Sequence, residues 1–235
     1  MGKRIIQQAR GHGSFPYRVR KQAFKYKIQY PSKLEGDGIV LKLLNSLGHF
    51  APLAKIRYNG GIFYIPAFKG MVEGQKINFS KSGENVENGN ILALKEIPVK
   101  TQIYSIEARP GDGGIFIKTA GTYGTVSKVL GERIFILMPS KKEKEFNPNC
   151  RAVVGIIAGS GRLEKPVVKA GKKYYMKRSK GGRMWPRTSA VKVNAVDHYF
   201  GSGRGKNPKS KIAKRNAPAG RRVGLLRPRR TGHKR

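Results

Sequence analysis

Charge divides this 235-residue chain into three parts and limits what each can become. Residues 171–235 carry 21 Lys/Arg and a single acid, Asp197, and residues 1–33 carry nine Lys/Arg and no acid. Between them 19 basic residues face twelve acids, a net of +7. Only the middle can collapse without help, because the ends repel themselves and stay extended until a polyanion neutralises them. A dense lattice of phosphates does this and releases counterions in exchange. The full chain bears +36 with a pI near 10.7, a balance that fits nucleic acid rather than a small substrate.

Other destinations fit poorly. A membrane surface also attracts cations, but that reading wants an amphipathic helix or a lipid anchor. The longest apolar stretch, residues 152–159, is far short of the ~18 residues of a spanning helix. The first eight residues hold no apolar signal core, and the Ser/Thr that myristoylation of Gly2 requires is Ile6. The single cysteine, Cys150, excludes an internal disulfide framework and suits a reducing cytoplasm.

The opening arm mixes cations with aromatics (Phe15, Tyr17, Phe24, Tyr26, Tyr30) and breakers (Gly11, Gly13, Pro16, Pro31), and reads as an irregular extension. From Leu34 short β-branched runs begin. Residues 39–44 read as a buried strand. Asn59-Gly60 between residues 55–58 and 62–65 reads as a tight hairpin, because Asn-Gly supplies the positive φ angles of a primed turn. Residues 76–79 and 91–94 complete about five short strands, the number of a small oligonucleotide-binding barrel. A second series covers residues 103–106, 115–118, 124–130, 133–137 and 151–157, with a two-residue loop at Gly131-Glu132, and suits an SH3-like barrel. After Gly159 glycine, proline and basic residues take over and no hydrophobic period returns. The expected fold is mainly β: an OB-type barrel followed by an SH3-like barrel, with long irregular basic N- and C-terminal extensions. The divisions fall at 1–33, 34–96, 97–170 and 171–235.

The chemistry of binding outweighs that of catalysis. Gly201-Ser-Gly203-Arg-Gly205-Lys206 tempts a phosphate-loop reading, but Phe200 stands where the first Walker glycine belongs and Asn207 where the hydroxyl belongs. Four scattered histidines and one cysteine give no zinc spacing. His198 beside Asp197 invites a general-base reading, yet sequence neighbours seldom orient one another and no nucleophile is marked. An RNA-contacting or structural histidine is the better reading. Residues 172–187 form the densest basic–aromatic mixture. Tyr174, Tyr175 and Trp185 stack on splayed bases or cover the barrel, and both can hold together with the ring packed and the cations outward. The run Arg109-Pro-Gly-Asp-Gly-Gly114 is a turn, and close backbone approach to a phosphate explains its glycines about as well as a hairpin does.

Ordered along the chain are Met1-Gly-Lys-Arg-Ile, Ala51-Pro-Leu-Ala, Gly89-Asn-Ile-Leu-Ala-Leu, Pro110-Gly-Asp-Gly-Gly and Cys150-Arg-Ala-Val-Val-Gly. They continue with Ala158-Gly-Ser-Gly-Arg, Lys165-Pro, Lys169-Ala-Gly, Trp185-Pro, Asn194-Ala-Val-Asp-His and Arg215-Asn-Ala-Pro-Ala-Gly-Arg-Arg-Val-Gly. In that order the chain resembles the universal large-ribosomal-subunit protein two family, in its archaeal/eukaryotic-type form. The resemblance implies both extensions buried in large-subunit rRNA. It also implies a non-enzymatic role in subunit association, tRNA binding and support of the peptidyl-transferase region. Its implied partners are large-subunit rRNA, other ribosomal proteins and the small subunit across the interface, in cytoplasmic ribosomes. No cofactor is implied, magnesium entering only as a companion of the rRNA. The family's functionally sensitive histidine falls on His198. Family members follow it with Pro and three glycines, where this chain has Tyr199-Phe-Gly201-Ser202-Gly203.

Candidate rRNA contacts follow from charge and resemblance together. In the first arm they are Arg4, Arg10, Arg18, Arg20 and Lys21. Arg151, Arg162, Lys165 and Lys169 follow the second strand series. Lys172, Lys173, Tyr175, Arg178, Arg183, Trp185 and Arg187 lie in the basic–aromatic stretch. Asn194, His198, Gly201, Gly203, Arg204 and Lys206 surround the histidine, and Arg215, Asn216, Arg221, Arg222, Arg229 and Arg230 close the set. Two other classes compete: an RNA-modifying enzyme using His198, and an OB-fold RNA-binding regulatory protein outside the ribosome.

Overall fold

The computed structural model describes residues 6–79, 86–131, 133–181, 184–198 and 200–203. The chain divides into two units, Val19–Gly182 and the two ends, Met1–Arg18 with Arg183–Arg235. In the unit of the ends, α1 covers Ile6–Gly11, and short 3-10 turns cover Phe15–Tyr17 and Ala190–Lys192.

Val19–Gly182 holds two antiparallel sheets. Strands β1 (Asp37–Leu44), β2 (Leu53–Tyr58), β3 (Gly61–Pro66) and β4 (Lys76–Asn78) form the first, in the order β3-β2-β1-β4. The second runs β5-β10-β6-β7-β8-β9, from β5 (Ile91–Ala93), β6 (Gln102–Tyr104), β7 (Gly124–Leu130), β8 (Arg133–Leu137), β9 (Glu143–Phe146) and β10 (Arg151–Val154). Two helices follow, α2 (Gly161–Glu164) and α3 (Ala170–Ser179). Two sheets with few helices make the fold mainly β, as an OB-type barrel followed by an SH3-like barrel requires.

The cores follow from side-chain alternation on strands buried on both faces. Ile91 and Val153 join Val40, Ile56, Phe63 and Ile65 in the first core. Their neighbours Leu92, Ala152 and Val154 join Val126, Ile134 and Ile136 in the second. The paired strands β5 and β10 (Arg151 opposite Ala93, Val153 opposite Ile91) are thus a wall common to both cores. This explains their unbroken apolar texture. It also corrects one expectation: Ile91–Ala93 hydrogen-bonds within the second sheet instead of completing the first.

Other expectations change for local reasons. The turn between β2 and β3 joins Tyr58 to Gly61 across two residues, but positive φ falls on Gly61 (129°) and not on Asn59 or Gly60. Gly60 is demanded by space, since a Cβ there would lie 2.6 Å from the Tyr58 ring. The β1 strand is not continuously buried: its register slips between Val40 and Lys42 and leaves Leu41 exposed, as a bulge does. Residues 115–118 make only a bridge from Ile106 to Phe116, because Ile117 adopts a left-handed φ of 55°. An unexpected strand, β9, closes the sheet as an edge rich in charge. Lys128–Glu143 (3.2 Å) and Arg133–Glu145 (3.5 Å) pair across strands there, with the Lys144 ammonium 4.0 Å from the Phe116 ring centroid.

The arm is also less irregular than its composition suggests. Beyond Val19 it lies on the barrels. Tyr30 is 1% exposed, its N–H donates to Gly113 O at 3.2 Å, and its hydroxyl donates to Ser105 O and Arg151 O at 2.9 Å each. Tyr26 packs against Tyr64 with ring centroids 5.0 Å apart. Two of the arm's aromatics therefore serve packing rather than base stacking.

Candidate nucleic-acid interface

Helix α3 is the clearest departure from ordinary protein packing. It carries Lys172, Lys173, Lys177 and Arg178 but no acid, and none of its residues is buried. Lys173 and Lys177 repel one another at i,i+4, and Lys172 and Lys173 oppose the positive end of the helix dipole. With no side chain fully buried, the helix has little core to hold it. Its cations, with Tyr175 68% exposed and packed edge-on to Tyr174 (5.4 Å), form an uncovered cationic–aromatic surface. Lys165 and Lys169 precede it, both exposed.

The helix ends on an anchored lysine. Lys180 Nζ donates to His49 O (2.8 Å) and Ser46 O (3.2 Å). Gly181 follows at φ 78°, where a Cβ would press on Ala23. Gly48 lies so close to the arm that a Cβ there would meet Ala23 O at 2.4 Å. Arg162, on α2, is exposed and donates from Nη2 to Ala120 O at 3.2 Å. His49 Nδ1 meets Ser46 Oγ at 2.8 Å. Burial, then the charges of Lys180 and Lys118, hold the His49 imidazole below its ordinary range. Lys118 donates to Ile28 O (2.9 Å), and burial lowers its ammonium pKa, with Asp112 opposing.

Arg151 sits differently from the other candidate cations. Its Nη2 donates to Glu107 Oε1 at 2.7 Å and to Pro31 O at 3.0 Å, and its guanidinium lies 5.1 Å from the Tyr30 ring centroid. Glu107 is fully buried and also accepts from the N–H groups of Gly113 (3.1 Å) and Arg151 (2.8 Å). Burial, then the Glu107 charge, pushes the Tyr30 hydroxyl pKa well up. The glycines of residues 109–114 serve the same joint: a Cβ at Gly113 would strike Gln29 and Tyr30 O, and one at Gly114 would strike Ser105 O at 2.4 Å. Asp112 closes the loop by accepting from Ala108 and Arg109 N–H (2.8 and 2.9 Å) through Oδ2 and from Gly114 N–H (3.1 Å) through Oδ1. That loop is a clamp on the arm.

In the unit of the ends, His198 lies in a turn closed on Asn194. Asn194 O accepts from His198 N–H (3.2 Å), His198 O accepts from Gly201 N–H (2.8 Å), and Ser202 N–H donates to Val193 O (3.1 Å). Gly201 is fixed sterically, since a Cβ would fall 2.4 Å from both Asn194 O and Val193 O. Phe200 N–H donates to His198 Nδ1 at 3.1 Å, and the two rings lie 4.8 Å apart. In the neutral ring the proton therefore sits on Nε2, and Asp197 does not orient the imidazole through Nδ1. Gly203 has open space around it at φ 129°. Arg10 and Arg18 are exposed, Arg18 donating to Gly13 O; Arg187 and Asn194 are exposed and Trp185 is half-buried.

The family profile described as "Ribosomal Proteins L2, C-terminal domain" matches residues 87–220. The chain is 43% identical over 243 residues to the large ribosomal subunit protein uL2 of Archaeoglobus fulgidus, covering all of both chains. It is 44% identical over 238 residues to that of Hyperthermus butylicus, covering all of this chain and 99% of the other. The chain belongs to the uL2 family. Among the described residues this family member has no helix long and apolar enough to cross a membrane, and no His/Cys/Asp/Glu group arranged to hold a metal.

Arg20 and Lys21 are also exposed, on the arm within Val19–Gly182. Arg4, Arg183, Arg204, Lys206, Arg215, Asn216, Arg221, Arg222, Arg229 and Arg230 lie outside the described residues. Sequence reasoning missed Lys180, His49, Glu107 and Tyr30. The signal for Glu107 was an acid ending an apolar strand; Lys180 left none beyond its place before Gly181.

Proposed function

We propose that this chain is a non-enzymatic structural constituent of the large ribosomal subunit, built to bind large-subunit rRNA. The observation that carries the reading is α3, a ten-residue helix with four cations, no acid and no buried side chain. Phosphates supply what its own sequence withholds. The barrels act as handles that fix where the cationic segments enter the RNA, and those segments neutralise phosphate without reading bases. Support for the peptidyl-transferase region, tRNA binding and association with the small subunit belong to the unit of the ends and its His198 turn. The closed hydrogen bonding of that turn favours a positioned Nε2–H donor over a general base. The ribosome's chemistry then rests on positioning by RNA.

The test is assembly. Large subunits reconstituted with the chain lacking residues 183–235 and carrying Gln in place of Lys172, Lys173, Lys177 and Arg178 should fail to retain it through a high-salt wash, while its far-ultraviolet spectrum keeps the β signature. Retention equal to that of the intact chain would overturn the reading. Replacing His198 with Gln should leave retention intact, and a turnover reaction by the purified protein that this change abolishes would restore the enzyme class.

A further inference from the structure

We infer that Arg162 and Lys180, seated on the ring of Phe50, form a docking site for the sugar–phosphate backbone of large-subunit rRNA. This rests on the rRNA-binding reading and names one place within Val19–Gly182 where it is realised. Phe50 is a large aromatic side chain left 37% exposed. The Arg162 guanidinium carbon and the Lys180 ammonium each lie 5.5 Å from its ring centroid. The two cations are therefore separated by no more than twice that distance. Their geometry is set before any ligand arrives. Ala120 O holds one Arg162 nitrogen, and Ser46 O and His49 O hold Lys180.

The hydrogen-bond inventory leaves donors over. Lys180 has three N–H bonds and two are engaged; Arg162 has five and one is engaged. The unused donors belong to fixed cations on one ring, and the side chains they touch bring no carboxylate. The other charged group that acts on His49, Lys118, is also cationic. Such a cluster repels itself unless an anion completes it. Cation–π contact with Phe50 offsets part of that repulsion and strips water from one side of each cation. A planar guanidinium with free N–H groups suits phosphate oxygens, and its outer face suits a neighbouring base. Contacts of this kind position a strand without reading its sequence. A carboxylate-bearing segment of another ribosomal protein is the alternative occupant, but one or two carboxylates match a fixed pair of cations less well than a continuous run of phosphates.

The test is titration of the purified full-length chain with its cognate large-subunit rRNA transcript across a range of salt concentrations. Arg162→Gln should weaken binding about tenfold at moderate salt and lower the slope of log K against log salt by about one. Lys180→Met should do the same, and Arg162→Lys should recover most of the slope. Lys128→Gln, which removes a cation already paired with Glu143, should change neither quantity. Because Lys180 also holds a loop, unfolding of Lys180→Met is followed in parallel; Arg162 is exposed, so its variant alone decides the matter if Lys180→Met fails to fold. Wild-type binding with an unchanged slope in Arg162→Gln would overturn this site and leave the rRNA reading standing. An unchanged slope together with poorer retention in reconstituted subunits would assign the site to a protein partner. A wild-type chain that binds the transcript no better than unrelated RNA of equal length would overturn the rRNA reading itself.

Discussion

Glu107 and Arg151 show how much of this protein's architecture rests on single side chains. Their pair is buried and joined by several hydrogen bonds, and it ties the arm at Pro31 and Tyr30 to strand β10. Removing one partner leaves the other charge without compensation, so Glu107→Ala should cost about 3–5 kcal/mol of stability. The double variant Glu107→Leu/Arg151→Met should lose less than the single one, as measured by chemical denaturation. Gly114→Ala forces a Cβ into Ser105 O and an L-residue to φ 84°. Its cost is about 2 kcal/mol or more, read as a lowered melting temperature. His49 gives a pH signature. Its folded pKa is lowered from 6.5, so the unfolded chain takes up the proton first as pH falls. Stability is therefore lost from about pH 6.5 down to the lower folded value. Melting temperature should fall more for the wild type than for His49→Asn between about pH 7.5 and about pH 5.5.

At the scale of elements, texture was readable wherever burial followed a period and obscure where it did not. The run at residues 133–137 alternates as a half-buried strand does, and it and the runs read at residues 55–58 and 124–130 all lie in strands of the structure. Strand β9 was invisible because Glu143, Lys144 and Glu145 are all exposed and only Phe146 is buried, so no alternation marks a strand that pairing with β8 and the burial of Phe146 hold in place. Helix α3 was equally invisible, since nothing buries it and so no stripe marks it. The cationic surface of the candidate interface was legible in composition. The seat formed by Phe50 and Lys180 was not, because their sequence separation carries no local pattern. Strands β5 and β10, buried on both faces, should show the slowest amide exchange in the molecule. Cys150, fully buried beside them, has its thiol pKa raised by burial and then by Glu107. It should react with a thiol reagent only as fast as the fold opens, and prompt labelling in native buffer would contradict the burial.

For the molecule as a whole, the division of labour between balanced middle and cationic ends is the governing property. The middle carries its own cores and the clamp that holds the arm. The compact unit that holds both cores runs from Val19 to Gly182. A cut before Gly171 should therefore destabilise the body by removing the Lys180 anchor, whereas a cut after residue 182 should leave its melting temperature nearly unchanged. On this reading phosphate completes what the sequence leaves unfinished, and α3, with four cations and no acid, depends on it most. Amide hydrogen exchange across residues 170–179, measured for the free full-length chain and again in the assembled large subunit, tests that dependence most directly. Exchange should be fast in the free chain, as for any short helix without a packed face, and strongly slowed in the subunit, with β5 and β10 slow in both. Equal, strong protection of α3 in the free chain at low salt would contradict it.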